Sequence, residues 1–163
     1  MKLLRLKRTV RKAALNAADK LVFYVKMTDH KLLKWTHEYE LGVEDIDLQH
    51  HYFVNLINKI SQLILDSNHQ IYKSRLISEL NAYARFHFTS EENMMLAAGY
   101  QGLGEHKNLH RELLEQLSEK EKMIDSHAGS QVMLEEVVEF LADWFAHHTL
   151  IEDKKFSDFL NSQ

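Results

Sequence analysis

From residue 44 onward the apolar positions recur at steps of three and four, the spacing that keeps side chains on one face of a helix. Ile46, His50, Phe53, Ile57, Ile60 and Ile64 form one such face, and Leu76, Leu80, Tyr83, His87, Glu91 and Met94 form a second. A third runs through His106, His110, Leu113, Leu117 and Ile124, and a fourth through Leu134, Val138, Leu141, Phe145 and His148. Breaks are expected at Ser67-Asn68, across Gly99 to Gly104, and at Ala128-Gly129-Ser130, where small and polar residues gather. The pattern predicts an all-α protein, an up-down four-helix bundle. An extra amphipathic segment precedes it, with Leu3, Leu6, Val10, Ala14, Ala17 and Leu21 on one side and basic residues mostly opposite.

Composition supports the helical reading. The chain has no proline and only 5 glycines, so the turn residues that β-rich folds require are missing. Its 163 residues suffice for one domain with a core of its own. Cysteine is absent, which excludes a disulfide framework and a thiolate metal site and leaves His, Asp and Glu as the strong metal ligands. Eleven histidines make that chemistry worth pursuing.

Charge divides the chain into two expected parts, a basic segment over residues 1–30 and a helical domain over 31–163. Residues 1–26 carry eight Lys or Arg against Asp19 alone, about +7, within a chain whose net charge is −4. The amphipathic segment has three readings: a helix packed on the bundle or on a second subunit, a helix that contacts a membrane surface or protein partner, or an organellar transit peptide; Met27 is also a possible start. No stretch approaches the roughly 20 apolar residues of a membrane span, so a soluble, cytoplasmic protein is expected, with no nucleic-acid partner.

The inward faces are not wholly apolar. His50, His87, Glu91, His106, His110 and His148 all fall on them. Each buried polar group without a partner costs about 2–7 kcal/mol, a sum that a domain of about 5–15 kcal/mol net stability does not absorb. These groups must therefore satisfy one another or share a cation. Residues four apart on a helix lie about 40° apart in azimuth and about 6 Å in height, so His87 with Glu91, and His106 with His110, can converge on one small site. Asp153 fits less simply, because a step of five from His148 is about 140° around an α-helix. The two either straddle the site or are joined by a widened turn. Glu152, four residues from His148, is the alternative on helical geometry.

In order and spacing these residues resemble the bacterial hemerythrins. The resemblance spans residues 35–156 and is carried by Trp35-Thr36, Glu40-Leu41-Gly42-Val43, Ile46-Asp47-Leu48-Gln49-His50, His87-Phe88-Thr89-Ser90-Glu91-Glu92, Tyr100-Gln101-Gly102-Leu103, His106-Lys107-Asn108-Leu109-His110, Trp144-Phe145-Ala146-His147-His148 and Asp153-Lys154-Lys155-Phe156. Gln101 stands where the family usually has proline, and the family usually lacks a segment like residues 1–26. The resemblance implies seven metal ligands: His106, His110 and His148 on one iron, His50 and His87 on the other, with Glu91 and Asp153 bridging.

The implied cofactor is two iron ions joined by an oxo or hydroxo bridge, and the implied function is reversible binding of molecular oxygen by a carrier, store or sensor, not an enzyme. With three histidines and three bridging atoms the first iron has six ligands, whereas the second has five and keeps one position open. Octahedral sites and paired carboxylates favour iron or manganese over tetrahedral zinc. A di-iron oxidase, peroxidase or nitric oxide reductase on the same bundle is the rival; the histidine-rich set, without the Glu-x-x-His motifs of ferritin-like enzymes, argues against it.

Phe53, Phe88, Leu109, Trp144, Phe145 and Ile151 are candidates to wall the oxygen pocket, although most of them also read as plain core. His30, His37, His69 and His127 read as surface residues. His51 and His147 neighbour candidate ligands but point elsewhere on the helical wheel.

Overall fold

The computed structural model describes residues 32–64, 70–126 and 131–163. The basic amphipathic segment, His30, His69, His127 and the breaks at Ser67-Asn68 and Ala128-Gly129-Ser130 lie outside them. A 3₁₀ turn at His37–Tyr39 leads into α1 (Glu44–Gln62), followed by α2 (Gln70–Ala97), α3 (Leu103–Ser126) and α4 (Gln131–His147). A π-helical segment, His148–Asp153, then joins α4 to the short α5 (Lys154–Asn161). Helix α1 packs against α2 and α4, α2 against α3, and α3 against α4, which closes the predicted four-helix bundle. Among the described residues there is no β-strand, and no helix is long and apolar enough to cross a membrane.

The predicted faces of α1, α3 and α4 are buried throughout. Helix α2 differs in detail: Tyr83 and Met94 are half-buried, while Ile77, Ala84, Phe88 and Met95 are fully buried. It packs on both α1 and α3, so its apolar stripe is wider than a single seam.

The break between α2 and α3 is a Schellman turn. Gly99 adopts φ +68°, Gly99 N–H donates to Leu96 O at 3.1 Å, and Tyr100 N–H donates to Met95 O at 2.9 Å. Gln101, at the position where proline was expected, is exposed and donates from Nε2 to Gly99 O at 3.1 Å. At the other approach to this end, the Asp47 carboxylate accepts N–H bonds from Leu41 (2.8 Å) and Gly42 (3.0 Å), fixing the chain where it enters α1. The buried Ser157 hydroxyl donates to Leu41 O at 2.6 Å and ties α5 to the same strand of chain. Leu41, Ile46, Met95 and Phe156 form a buried cluster there, flanked by Val43, Tyr100 and Phe159.

Candidate metal centre

The bundle axis holds polar side chains where an ordinary core holds aliphatic ones. His50 comes from α1, His87 and Glu91 from α2, His106 and His110 from α3, and His148 and Asp153 from the two ends of the π-helical segment. All seven are at most 3% exposed. One atom each from Glu91, His106, His110, His148 and Asp153 fits within 4.8 Å of all the others. His50 Nε2 lies 3.3 Å from Asp153 Oδ2, and the His50 and His87 rings meet edge-on at 4.8 Å between centroids.

The π-helical segment answers the spacing problem at Asp153. A π-helix closes i→i+5 rather than i→i+4, so residues five apart stack instead of diverging. His148 Nε2 accordingly sits 3.0 Å from Asp153 Oδ1. Glu152, the alternative on α-helical geometry, is directed elsewhere: its Oε2 accepts from the exposed Lys155 Nζ at 2.6 Å.

Asp153 faces histidines on two sides, whereas Glu91 meets His106 and His110. Asp153 Oδ1 lies close to His148 and, at 3.4 Å, to His106, whereas Oδ2 faces His50. Glu91 Oε2 is 3.2 Å from His106 Nε2 and 3.3 Å from His110 Nε2. His110 Nε2 and His148 Nε2 approach to 2.9 Å. Despite this crowding, both oxygens of Asp153 and Oε1 of Glu91 have no hydrogen-bond partner, although they are buried. Orphaned carboxylate oxygens in a buried core are costly, and a cation held among them and the facing imidazole nitrogens removes that cost. The donor set thus fits a metal centre.

Electrostatics favour the metal-binding forms of both carboxylates, His87 and His148, and act oppositely at His106. Burial, assisted by the charge of His50, lowers the His87 pKa from 6.5 to about 3. Burial also lowers His148. At His106 burial acts downward, but the hydrogen bond and charge of Glu91 outweigh it, and its pKa is raised. Burial and the charge of Asp153 push Glu91 up, but the hydrogen bond with His106 and the close approach of His110 prevail and bring it to about 2. Burial likewise acts upward on Asp153, where the charge of His148 prevails and holds it well below the usual carboxylate range. The carboxylates are ionised and His87 is neutral near pH 7, the forms that bind metal.

Outer partners orient the imidazoles. His87 Nδ1 donates to Gln49 Oε1 at 3.0 Å, and His110 Nδ1 donates to Glu92 Oε1 at 3.0 Å. Each bond leaves Nε2 with a lone pair toward the centre. Sequence reasoning assigned no role to Gln49 or Glu92; their trace in the sequence is only that each adjoins a candidate ligand. Phe88 stacks on His110 at 3.8 Å and 7°, and Trp144 stacks on His148 at 4.5 Å and 18°. Phe53 and Phe145, stacked on each other at 5.7 Å, close the His50 side. Phe53, Phe88 and Phe145 are buried, while Leu109, Trp144 and Ile151 are half-buried. His37, His51 and His147 are exposed, with His51 stacked under Trp35 at 3.7 Å.

The chain is similar to known proteins along most of its length. The curated bacteriohemerythrin of Clostridium acetobutylicum is 30% identical over 131 residues, covering 76% of this chain and 98% of that protein. The bacteriohemerythrin of Methylococcus capsulatus is 28% identical over 135 residues, covering 80% of this chain and 98% of that protein. Among solved structures, crystal structures of hemerythrin variants superpose with a TM-score of 0.70 at 26% identity, over 79% of this chain and 97% of theirs. The family model of the hemerythrin HHE cation binding domain matches residues 41–160, which span α1 to α5 and all seven inward polar residues, and the chain belongs to the hemerythrin family.

Proposed function

We propose that the protein binds molecular oxygen reversibly at a di-iron centre, as a carrier, store or sensor. In this reading His106, His110 and His148 hold one iron, His50 and His87 hold the other, and Glu91 and Asp153 bridge them. The observation that carries it is the split of Asp153, whose Oδ1 faces His106 and His148 and whose Oδ2 faces His50. A single buried carboxylate presents one oxygen to each group of histidines, which suits two ions better than one.

A pair of ferrous ions, when bound, supplies the electrons that reversible oxygen binding draws on and returns. The protein's own residues do the rest. The two-histidine side has one donor fewer than the three-histidine side, so room for a small diatomic molecule is expected beside His50 and His87. Phe53, Phe88 and Phe145 keep bulk water and stray protons from the ions, which reversibility requires. Gln49 and Glu92 fix the ring orientation of His87 and His110.

Five histidines against two carboxylates also separate this reading from a di-iron oxidase, in which extra anionic ligands favour higher oxidation states. The relatives named bacteriohemerythrin support the same choice. The test is anaerobic iron(II) loading of the full chain, with iron counted per chain and optical spectra taken before air, after air and after oxygen removal. Two irons per chain and a visible band that appears with oxygen and disappears without it are expected. One-way conversion to a diferric form favours the oxidase, and no bound iron overturns the site.

A further inference from the structure

We infer that Glu92 is a positioning residue that makes the two metal positions unequal, so that the three-histidine position takes iron(II) first and holds it more tightly. The inference rests on the di-iron reading above and concerns the atoms behind the ligands, on the side of each imidazole that faces away from the ions.

Three histidines differ there. His110 Nδ1 donates at 3.0 Å to a carboxylate oxygen of Glu92, whose other oxygen receives Lys107 Nζ at 3.0 Å. His87 Nδ1 donates at 3.0 Å to the neutral amide of Gln49, whose own Nε2 is engaged with Ser90 Oγ at 3.2 Å. His50 Nδ1 is buried and has no partner. A carboxylate acceptor draws the Nδ1 proton more strongly than an amide does, which raises electron density at Nε2 and makes a better donor to a cation. The three-histidine position therefore has a charge-backed ligand, and the two-histidine position has one amide-backed and one unbacked ligand.

Geometry makes Glu92 suited to this task. It follows Glu91 directly on α2, and its contacts with His110 and Lys107 reach across to α3, so one side chain registers the two helices at the height of the site. The Phe88 ring, 3.8 Å from His110 and nearly parallel to it, blocks rotation of the imidazole away from that bond. Glu92 is 20% exposed and lines a groove of about 940 Å³ between α2 and α3, so it can be exchanged without opening the core. Lys107 is 55% exposed, and its ion pair is worth little by itself. The effect belongs to the Glu92 carboxylate and its hydrogen bond to His110.

The test is anaerobic titration of the metal-free full chain with iron(II) against a competing chelator. Wild type is expected to fill in two resolved steps. Glu92→Gln is expected to weaken the tighter step by about 10- to 100-fold and leave the weaker one in place. Gln49→Leu is expected to do the reverse. As a second readout, nitrogen-15 spectra of the metal-free protein are expected to show His110 in the Nδ1–H form in wild type and as mixed tautomers in Glu92→Leu. Two equal steps in wild type, or equal weakening of both steps in Glu92→Gln, overturn the inference and leave the di-iron reading standing. A lowered melting temperature of metal-free Glu92→Gln with both affinities reduced assigns Glu92 a purely structural role and overturns it too. Absence of iron binding in wild type overturns both.

Discussion

His148 and Asp153 stand five residues apart and meet, Nε2 to Oδ1, at 3.0 Å across a π-helical turn. An α-helix places the same two residues on diverging faces. The local widening of the helix thus delivers a carboxylate to the middle of the bundle, where its other oxygen reaches His50 on α1.

Because Asp153 faces both groups of histidines, Asp153→Asn is expected to reduce iron at both positions. His50→Ala, which touches one group, is expected to spare most iron at the other. Iron counted per chain after anaerobic loading, with circular dichroism to verify helix content, checks the difference. Equal losses in the two variants contradict the split.

His87→Ala and His110→Ala are each expected to lower bound iron and the melting temperature of the loaded protein, because the remaining buried ligands then lack their cation. Chelation of wild type is expected to lower the melting temperature in the same direction, since an ion bound only by the folded state stabilises it by mass action. Unchanged iron content and melting temperature in both variants contradict the site.

The metal-free protein is expected to be acid-labile. His87, His148, Glu91 and Asp153 all have folded-state pKa values below those of the unfolded chain. The unfolded chain therefore binds more protons as pH falls, first at the histidines below their ordinary 6.5 and then at the carboxylates, and stability falls with pH through that window. His106 is raised and acts oppositely: its contribution is present below the unfolded value and lost as pH rises through the folded one. With four groups against one, the melting temperature of the metal-free protein should drop steadily from about pH 7 to about pH 4. A flat profile contradicts this account.

Phe88→Ala is expected to cost about 3–5 kcal/mol, the usual range for a buried aromatic, because the ring is 2% exposed and packs flat on His110. Thermal or denaturant unfolding of the metal-free protein reads the loss of core packing. Iron affinity then reads the loosened His110. A cost below 1 kcal/mol on unfolding places the ring outside the core.

Gly99→Ala is expected to cost about 1 kcal/mol in unfolding experiments without affecting iron content. A Cβ at Gly99 meets no atom within 4 Å, so the cost comes from φ +68° alone. This separates the turn from the site.

The sequence alone determined the four-helix architecture and six of the inward polar positions, because helical periodicity is local. Ile46, His50 and Phe53 share a face in any α-helix, whatever the rest of the chain does. The same periodicity shows that His87 with Glu91, and His106 with His110, form stacked pairs. It was silent on Asp153, since the choice between an α and a π turn is made by packing and not by the spacing of apolar residues. Glu152, favoured on the helical wheel, instead pairs with Lys155. Gln49 and Glu92 were equally hidden: their partners His87 and His110 lie 38 and 18 residues away in sequence. Even the division of histidines between the two oxygens of Asp153 appears only when α1, α3 and the π-helical segment meet. The faces of the helices follow from dihedral repeats along the chain. Which buried atoms point at one another follows from the packing of helices distant in sequence.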